Sequence, residues 1–140
     1  MRCSNKLPDF PRAIKHYDDM LASETLPEFR RNQYSRARFY TLARVPERQE
    51  ETLKEGLRIF RKTPDNHLPN MICVLFALQN AIPPPENQRI PDQELFADEK
   101  TQYLWLKNYR LRRSPDFPMN GVDEKLRELE KKLHIKVPQR

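Results

Sequence analysis

The sequence predicts an all-α fold of about six helices in antiparallel hairpins, forming either a compact bundle or a short solenoid. Three observations carry this. The 140 residues include only 2 glycines, and valine, isoleucine and threonine together number 15. A β-rich chain needs more of both, for its turns and its strands. The 13 prolines stand between stretches whose apolar residues recur every three or four positions. One such stretch, Met71 to Leu78, is apolar on every face and belongs at the centre of a helical fold.

Taken in order, the first helix is expected from about Asp9 to Ala22. Asp9 can cap it, Pro11 suits its first turn, and Phe10, Ile14, Tyr17 and Leu21 fall at helical spacing. The second starts at Pro27 and ends near Arg44. Phe29, Phe39, Tyr40 and Ala43 share one arc of it, and Arg30, Arg31, Arg38 and Arg44 share roughly the opposite arc. The third runs from Pro46 to Lys62, with acids near its start and Arg58 and Arg61 near its end, as the helix dipole favours. Leu53, Leu57 and Phe60 form its stripe.

Thr63-Pro64-Asp65-Asn66 reads as a turn. The fourth and most apolar helix follows, to Ile82, where Pro83-Pro84-Pro85 imposes an extended spacer. The fifth is expected as one helix from about Pro91 to Arg113, with Leu95, Phe96, Tyr103, Leu104, Leu106, Tyr109 and Leu111 on its apolar faces. The sixth runs from Val122 to about His134. Val122, Leu126, Leu129 and Leu133 give it an apolar seam, and Gly121 is a flexible start that would let it swing. The expected organisation is a flexible tail over 1–8 and a helical-hairpin domain over 9–113 with a proline-rich loop at 83–90. A linker, the short terminal helix and a loose tail fill 114–140.

At 16.9 kDa the chain is one domain's length, large enough to bury a core unaided. Its net charge is +6, weighted to the first half: residues 1–63 hold 14 Lys/Arg against 9 Asp/Glu, and the remainder 12 against 11. The bias favours an acidic protein surface, RNA or another anionic partner. Cys3 and Cys73 lie far apart and the three histidines are scattered. That pattern fits neither a disulfide framework nor a zinc site, and it points to a reducing intracellular compartment, whether cytoplasmic, mitochondrial or nuclear. No apolar run is long enough to span a bilayer, and no secretory leader is evident. Two glycines leave no phosphate-cradling loop, and no cofactor is expected.

Ala13-Ile14-Lys15-His16-Tyr17-Asp18-Asp19-Met20-Leu21 resembles the second helix of a tetratricopeptide hairpin. Thr52-Leu53-Lys54-Glu55-Gly56-Leu57-Arg58-Ile59-Phe60 does too, ahead of Thr63-Pro64-Asp65-Asn66. The two stretches are 39 residues apart, where that family repeats every 34. The resemblance implies a scaffold that binds another polypeptide on a concave face. Tyr34-Ser35-Arg36-Ala37-Arg38-Phe39 is similar to a segment of small mitochondrial LYR-motif proteins, without the Leu-Tyr-Arg tripeptide itself.

Two stretches stand out as candidate binding faces. Residues 27–48 hold six arginines and two acids. They read either as a docking face offering Arg30, Arg31 and Arg38, or as a solvated helix side whose arginine stems cover apolar surface. Arg36 falls within the apolar arc and is expected to be partly buried and paired. Residues 103–113 interleave the only tryptophan and two tyrosines with four cations and no acid. Trp105, Tyr109, Arg110 and Arg113 are residue types that anchor protein interfaces, and the same mixture suits single-stranded nucleic acid. A core helix with dipole-complementing cations would read the same way. No histidine stands beside a serine or cysteine nucleophile, and Cys73 lies in the most apolar segment, so catalysis is not expected. The function expected is that of a non-enzymatic adaptor or small complex subunit that binds a protein partner. An RNA- or ribonucleoprotein-associated component is the alternative, and a viral accessory protein the third reading.

Overall fold

The computed structural model describes residues 9–62, 68–112 and 116–135. The expected turn at 63–66, His67, Cys3, Arg113 and both terminal tails lie outside them. The described residues are all-helical, without strands. The helices are α1 (Phe10–Leu21), α2 (Glu28–Ala43), α3 (Gln49–Lys62), α4 (Pro69–Ala81), α5 (Asp92–Leu95), α6 (Glu99–Arg112) and α7 (Val122–Lys132). A 3-10 turn at Pro46–Arg48 leads into α3.

Local chemistry sets the boundaries. The Asp9 carboxylate accepts from the Arg12 backbone N–H at 3.1 Å, satisfying one of the bare amides that open α1. Proline occupies the first turns of α1 and α4, where its missing N–H costs nothing. α7 closes at Glu130 to Ile135: the Ile135 N–H reaches the Glu130 carbonyl at 2.9 Å, and His134 takes the left-handed position with φ 56°. Glycine usually fills that position.

The helices pack as a compact bundle, α1 on α2, α2 on α3, α3 on α4 and α6 on α7, with α4 meeting both the short α5 and α6. α2 also reaches α4. Met71 to Gln79 of α4 are buried without a break, as the all-round apolar pattern predicts. Phe39 of α2, Leu53 and Phe60 of α3, Leu106 of α6 and Val122 of α7 close around them in one core. α7 therefore shares that core, and Gly121 is no swing point. It is held at φ 77° against Asn80, whose amide donates to the Asn120 carbonyl at 3.0 Å.

Gly56 fixes the approach of three helices. A β-carbon there would stand 2.6 Å from both Leu75 Cδ2 and Phe39 Cε1, well inside van der Waals contact. The chain after α4 is held by another device. The buried Gln79 side chain donates from Nε2 to the Ile90 carbonyl at 2.9 Å and accepts from the Ile90 N–H at 2.8 Å. One amide thus satisfies both polar groups of a loop residue whose own side chain is fully buried. The proline-rich segment is clamped at its far end.

The expected fifth helix is two helices. After Leu95 the backbone turns extended at Phe96, and α6 starts afresh behind Asp98. The Asp98 carboxylate accepts from the Thr101 N–H at 2.7 Å, which is N-cap geometry. The break lets Phe96 turn inward between Phe76 and Trp105, with ring centroids 6.0 and 5.8 Å away. Phe29, expected on the apolar arc of α2, is exposed, and Arg30 lies over its ring at 5.4 Å.

Gly56→Ala is a sharp test of this packing. Propensity alone would make the substitution stabilising by about 1 kcal/mol. The close approach should reverse the sign, and we expect a net loss of about 1–3 kcal/mol in urea denaturation. A stabilised variant would mean that α3 stands further from α2 and α4.

Candidate functional site

Most of the arginines expected to form a docking face on α2 are structural. The Arg38 side chain is 14% exposed. Its Nε donates to Asp18 at 2.6 Å and a terminal nitrogen to Glu51 at 3.3 Å, tying α1 and α3 to α2. Glu51 also receives both prongs of Arg48, at 2.8 and 2.9 Å. Arg31 donates to the Leu21 and Ser23 carbonyls, both at 2.8 Å, and so caps the C-terminal end of α1. Arg44 lies between the rings of Phe10 and Phe117, 4.8 and 5.7 Å from their centroids, and pairs with Asp116 at 2.9 Å. Of the predicted trio, only Arg30 is an exposed cation.

The aromatic residues predicted on the second face are also committed. Tyr109 is 1% exposed, and its hydroxyl donates to the Pro118 carbonyl at 2.7 Å. It anchors the lead-in to α7 and is not available as an interface anchor. Trp105 is half-buried against Phe96. Arg110 pairs with Asp123 of α7. Lys107 pairs with Glu130 at 3.7 Å, and Lys132 with Glu99 at 2.6 Å, so α6 and α7 are joined by a polar seam beside their apolar one. Tyr103 adds a hydroxyl bond to Glu130 at 3.1 Å.

What α6 leaves open is its outer side. Leu104 is 63% exposed and Leu111 69%. At about 100° per residue these two lie on the far side of the helix from Gln102 and Tyr109, which face the core. Lys100 shares the leucine arc, and Arg112 stands beside it at the C-terminal end. Neither cation makes an ion pair among the described residues. The result is a pair of exposed leucines two turns apart, with Asn108 between them and a cation at each end. Sequence reasoning counted both leucines among the apolar faces of one long helix. The signal for this ridge was present: leucines and aromatics encircle α6, and only one side can meet the core.

A cleft of about 460 Å³ opens between α5, α6 and α7, lined by Arg89, Asp92, Phe96, Asp98, Gln102 and Lys125 among others. Its polar groups mostly answer one another. Asp92 accepts from Gln102 at 3.0 Å and pairs with Lys125 at 3.5 Å. Asp98 is occupied in capping α6. Among the described residues, no group of histidine, cysteine and carboxylate side chains is placed to hold a metal ion. None of the described helices is long and apolar enough to cross a membrane.

No protein-family model, curated protein or solved structure matches this chain. The functional reading therefore rests on its own residues.

Two outcomes test the division between structural and open cations. Arg38→Ala should lower stability by about 1–2 kcal/mol, because two carboxylates lose a partly buried partner. Arg30→Ala should leave the denaturation midpoint unchanged. Equal effects would mean that Arg38 holds nothing together.

Asp98 gives a pH signature. Its carboxyl lies below the ordinary aspartate value, first because the Thr101 backbone N–H donates to it, then because the Thr101 side chain does, with a smaller contribution from Lys100. A depressed carboxyl stabilises the fold above its unfolded value, and the stabilisation fades as pH falls through the lower folded value. Asp98→Ala should therefore melt below wild type near neutral pH. The two melting curves should converge as pH drops below the carboxylate range, and a gap that persists in acid would separate the effect from the cap.

Proposed function

We propose that this chain is a non-enzymatic interaction protein, an adaptor or small subunit of a larger assembly, that meets a protein partner through the outer side of α6. The observation that carries the reading is the pair of exposed leucines, Leu104 and Leu111, flanked by Lys100 and Arg112. The two leucines share one arc of the helix, where a partner could bury both at once. The surrounding cations give the face a preference for an acidic surface. An intracellular setting belongs to this reading, supported by Cys73 as a buried thiol. The tetratricopeptide-like likeness belongs to it as well, since residues 13–21 and 52–60 both lie inside helices, α1 and α3.

The RNA-associated alternative draws support only from the overall basic charge. The arginines it would use are largely engaged: Arg38, Arg44, Arg48, Arg58 and Arg61 all face carboxylates. A phosphate-binding surface needs cations free to exchange counterions for phosphate.

Affinity capture with the full chain, with and without nuclease, tests the proposal. The expected result is a protein partner that survives nuclease and is lost with the double variant Leu104→Ser/Leu111→Ser, whose melting point stays at wild type. Capture that vanishes with nuclease would favour the ribonucleoprotein reading. A partner indifferent to the double variant would remove α6 from the site.

A further inference from the structure

The outer side of α6 has a shape and a charge pattern that narrow the class of partner. Leu104 and Leu111 are seven residues apart, so they rise from one arc about 10 Å from each other along the axis. An opposing helix meets such a pair with side chains on every second turn, at i and i+7. Lys100 precedes the first leucine by one turn, and Arg112 follows the second. Between the two leucines the same arc carries exposed Asn108 and half-buried Lys107, which pairs with Glu130, so the face is two separate leucines set among cations.

Charge decides among the occupants. A second copy laid antiparallel on this ridge would set Lys100 of one chain near Arg112 of the other, a like-charge contact that opposes pairing. Residues 1–8 contain Arg2 and Lys6 and residues 136–140 contain Lys136 and Arg140, with no acidic side chain in either segment, so neither complements the ridge. α7, the acidic-and-basic helix of this chain, is already seated on another side of α6 through Arg110–Asp123 and Lys107–Glu130. Across that seam the charges run both ways: Arg110 and Lys107 meet carboxylates of α7, and Glu99 meets Lys132.

We propose that the ridge formed by Leu104 and Leu111, with Lys100 and Arg112 at its ends, docks an acidic amphipathic helix of a partner protein. The inference rests on the reading of α6 as the interaction face and adds the chemistry of what binds there. The partner helix carries apolar residues at i and i+7, and aspartate or glutamate at the margins that meet Lys100 and Arg112.

The test uses the full chain, isotope-labelled for chemical-shift mapping. The probe is a short helical peptide with leucine at i, i+4, i+7 and i+11 and glutamate at the flanking positions. A lysine-for-glutamate version and a single-stranded oligonucleotide are run in parallel. The glutamate peptide should shift the amides of residues 100–112, and the lysine peptide should not. Leu104→Ser or Leu111→Ser should weaken fluorescence-anisotropy binding about tenfold or more. Lys100→Glu/Arg112→Glu should exchange the preference, so that the lysine peptide binds better. No binding of the glutamate peptide at millimolar concentration would overturn the inference. So would equal binding of both peptides, shifts confined to another face, tighter binding of the oligonucleotide at α6, or a concentration-dependent dimer abolished by Leu104→Ser. A nuclease-resistant partner that depends on the leucines, found together with a silent glutamate peptide, would sink this inference alone. Loss of both results would sink the interaction reading as well.

Discussion

The fold depends on one missing β-carbon. At Gly56 the backbone of α3 comes within reach of the side chains of Phe39 on α2 and Leu75 on α4, and a β-carbon there would make both of them shift. The position costs α3 some helical propensity, since glycine is the weakest helix former after proline. In return three helices close at one point around α4, whose buried run from Met71 to Gln79 then touches apolar groups on each side. The remaining helices are placed by what that central stack leaves uncovered. α6 lies against α4, α7 lies against α6, and α1 covers the far side of α2.

Around this centre the charges are spent on joining elements. Arg38 bridges α1 and α3, Arg44 brings the start of α1 and the lead-in to α7 to the end of α2, and Arg61 pairs with Glu94 of α5 at 3.1 Å. Arginine suits this work because its planar head can serve two partners while its stem lies on apolar surface. A basic chain can in this way present little free positive charge where its sequence shows most arginine. Lys100 and Arg112, which make no ion pair among the described residues, stand on α6.

Much of this was legible in the sequence. The helices follow from proline placement and three-to-four-residue periodicity, and the central position of α4 follows from its lack of a polar face. The break at Phe96 was not legible, because residues 91–113 keep a helical apolar pattern across it. Asp98 is a good cap, but a capping aspartate inside an apolar pattern looks the same as an ordinary surface acid until the tertiary contacts of Phe96 are known. The fate of Arg38 was hidden for a similar reason. Its position roughly opposite the arc of Phe39, Tyr40 and Ala43 says that it leaves the α2 core, yet only the packing of α1 and α3 puts Asp18 and Glu51 in front of it. Gln79 was hidden by its neighbours: it ends an apolar run, and nothing local says that its amide will hold Ile90. The α6 leucines were visible as apolar residues and invisible as a face, because the wheel of α6 is apolar on opposite sides.

The neighbour-to-neighbour order of packing has a consequence for how the chain reaches this state. Nearly all helix contacts join segments adjacent in sequence, so the loops that must close are short and their entropic cost is small. Chains with such local topology fold fast, typically within microseconds to milliseconds. The few distant links are of a different kind. Asn80 meets Asn120, and Arg44 meets Asp116 across 72 residues of chain. Those ties close long loops and carry the larger entropic cost. Ties of this kind that are absent from the folding transition state slow unfolding and leave the folding rate almost unchanged.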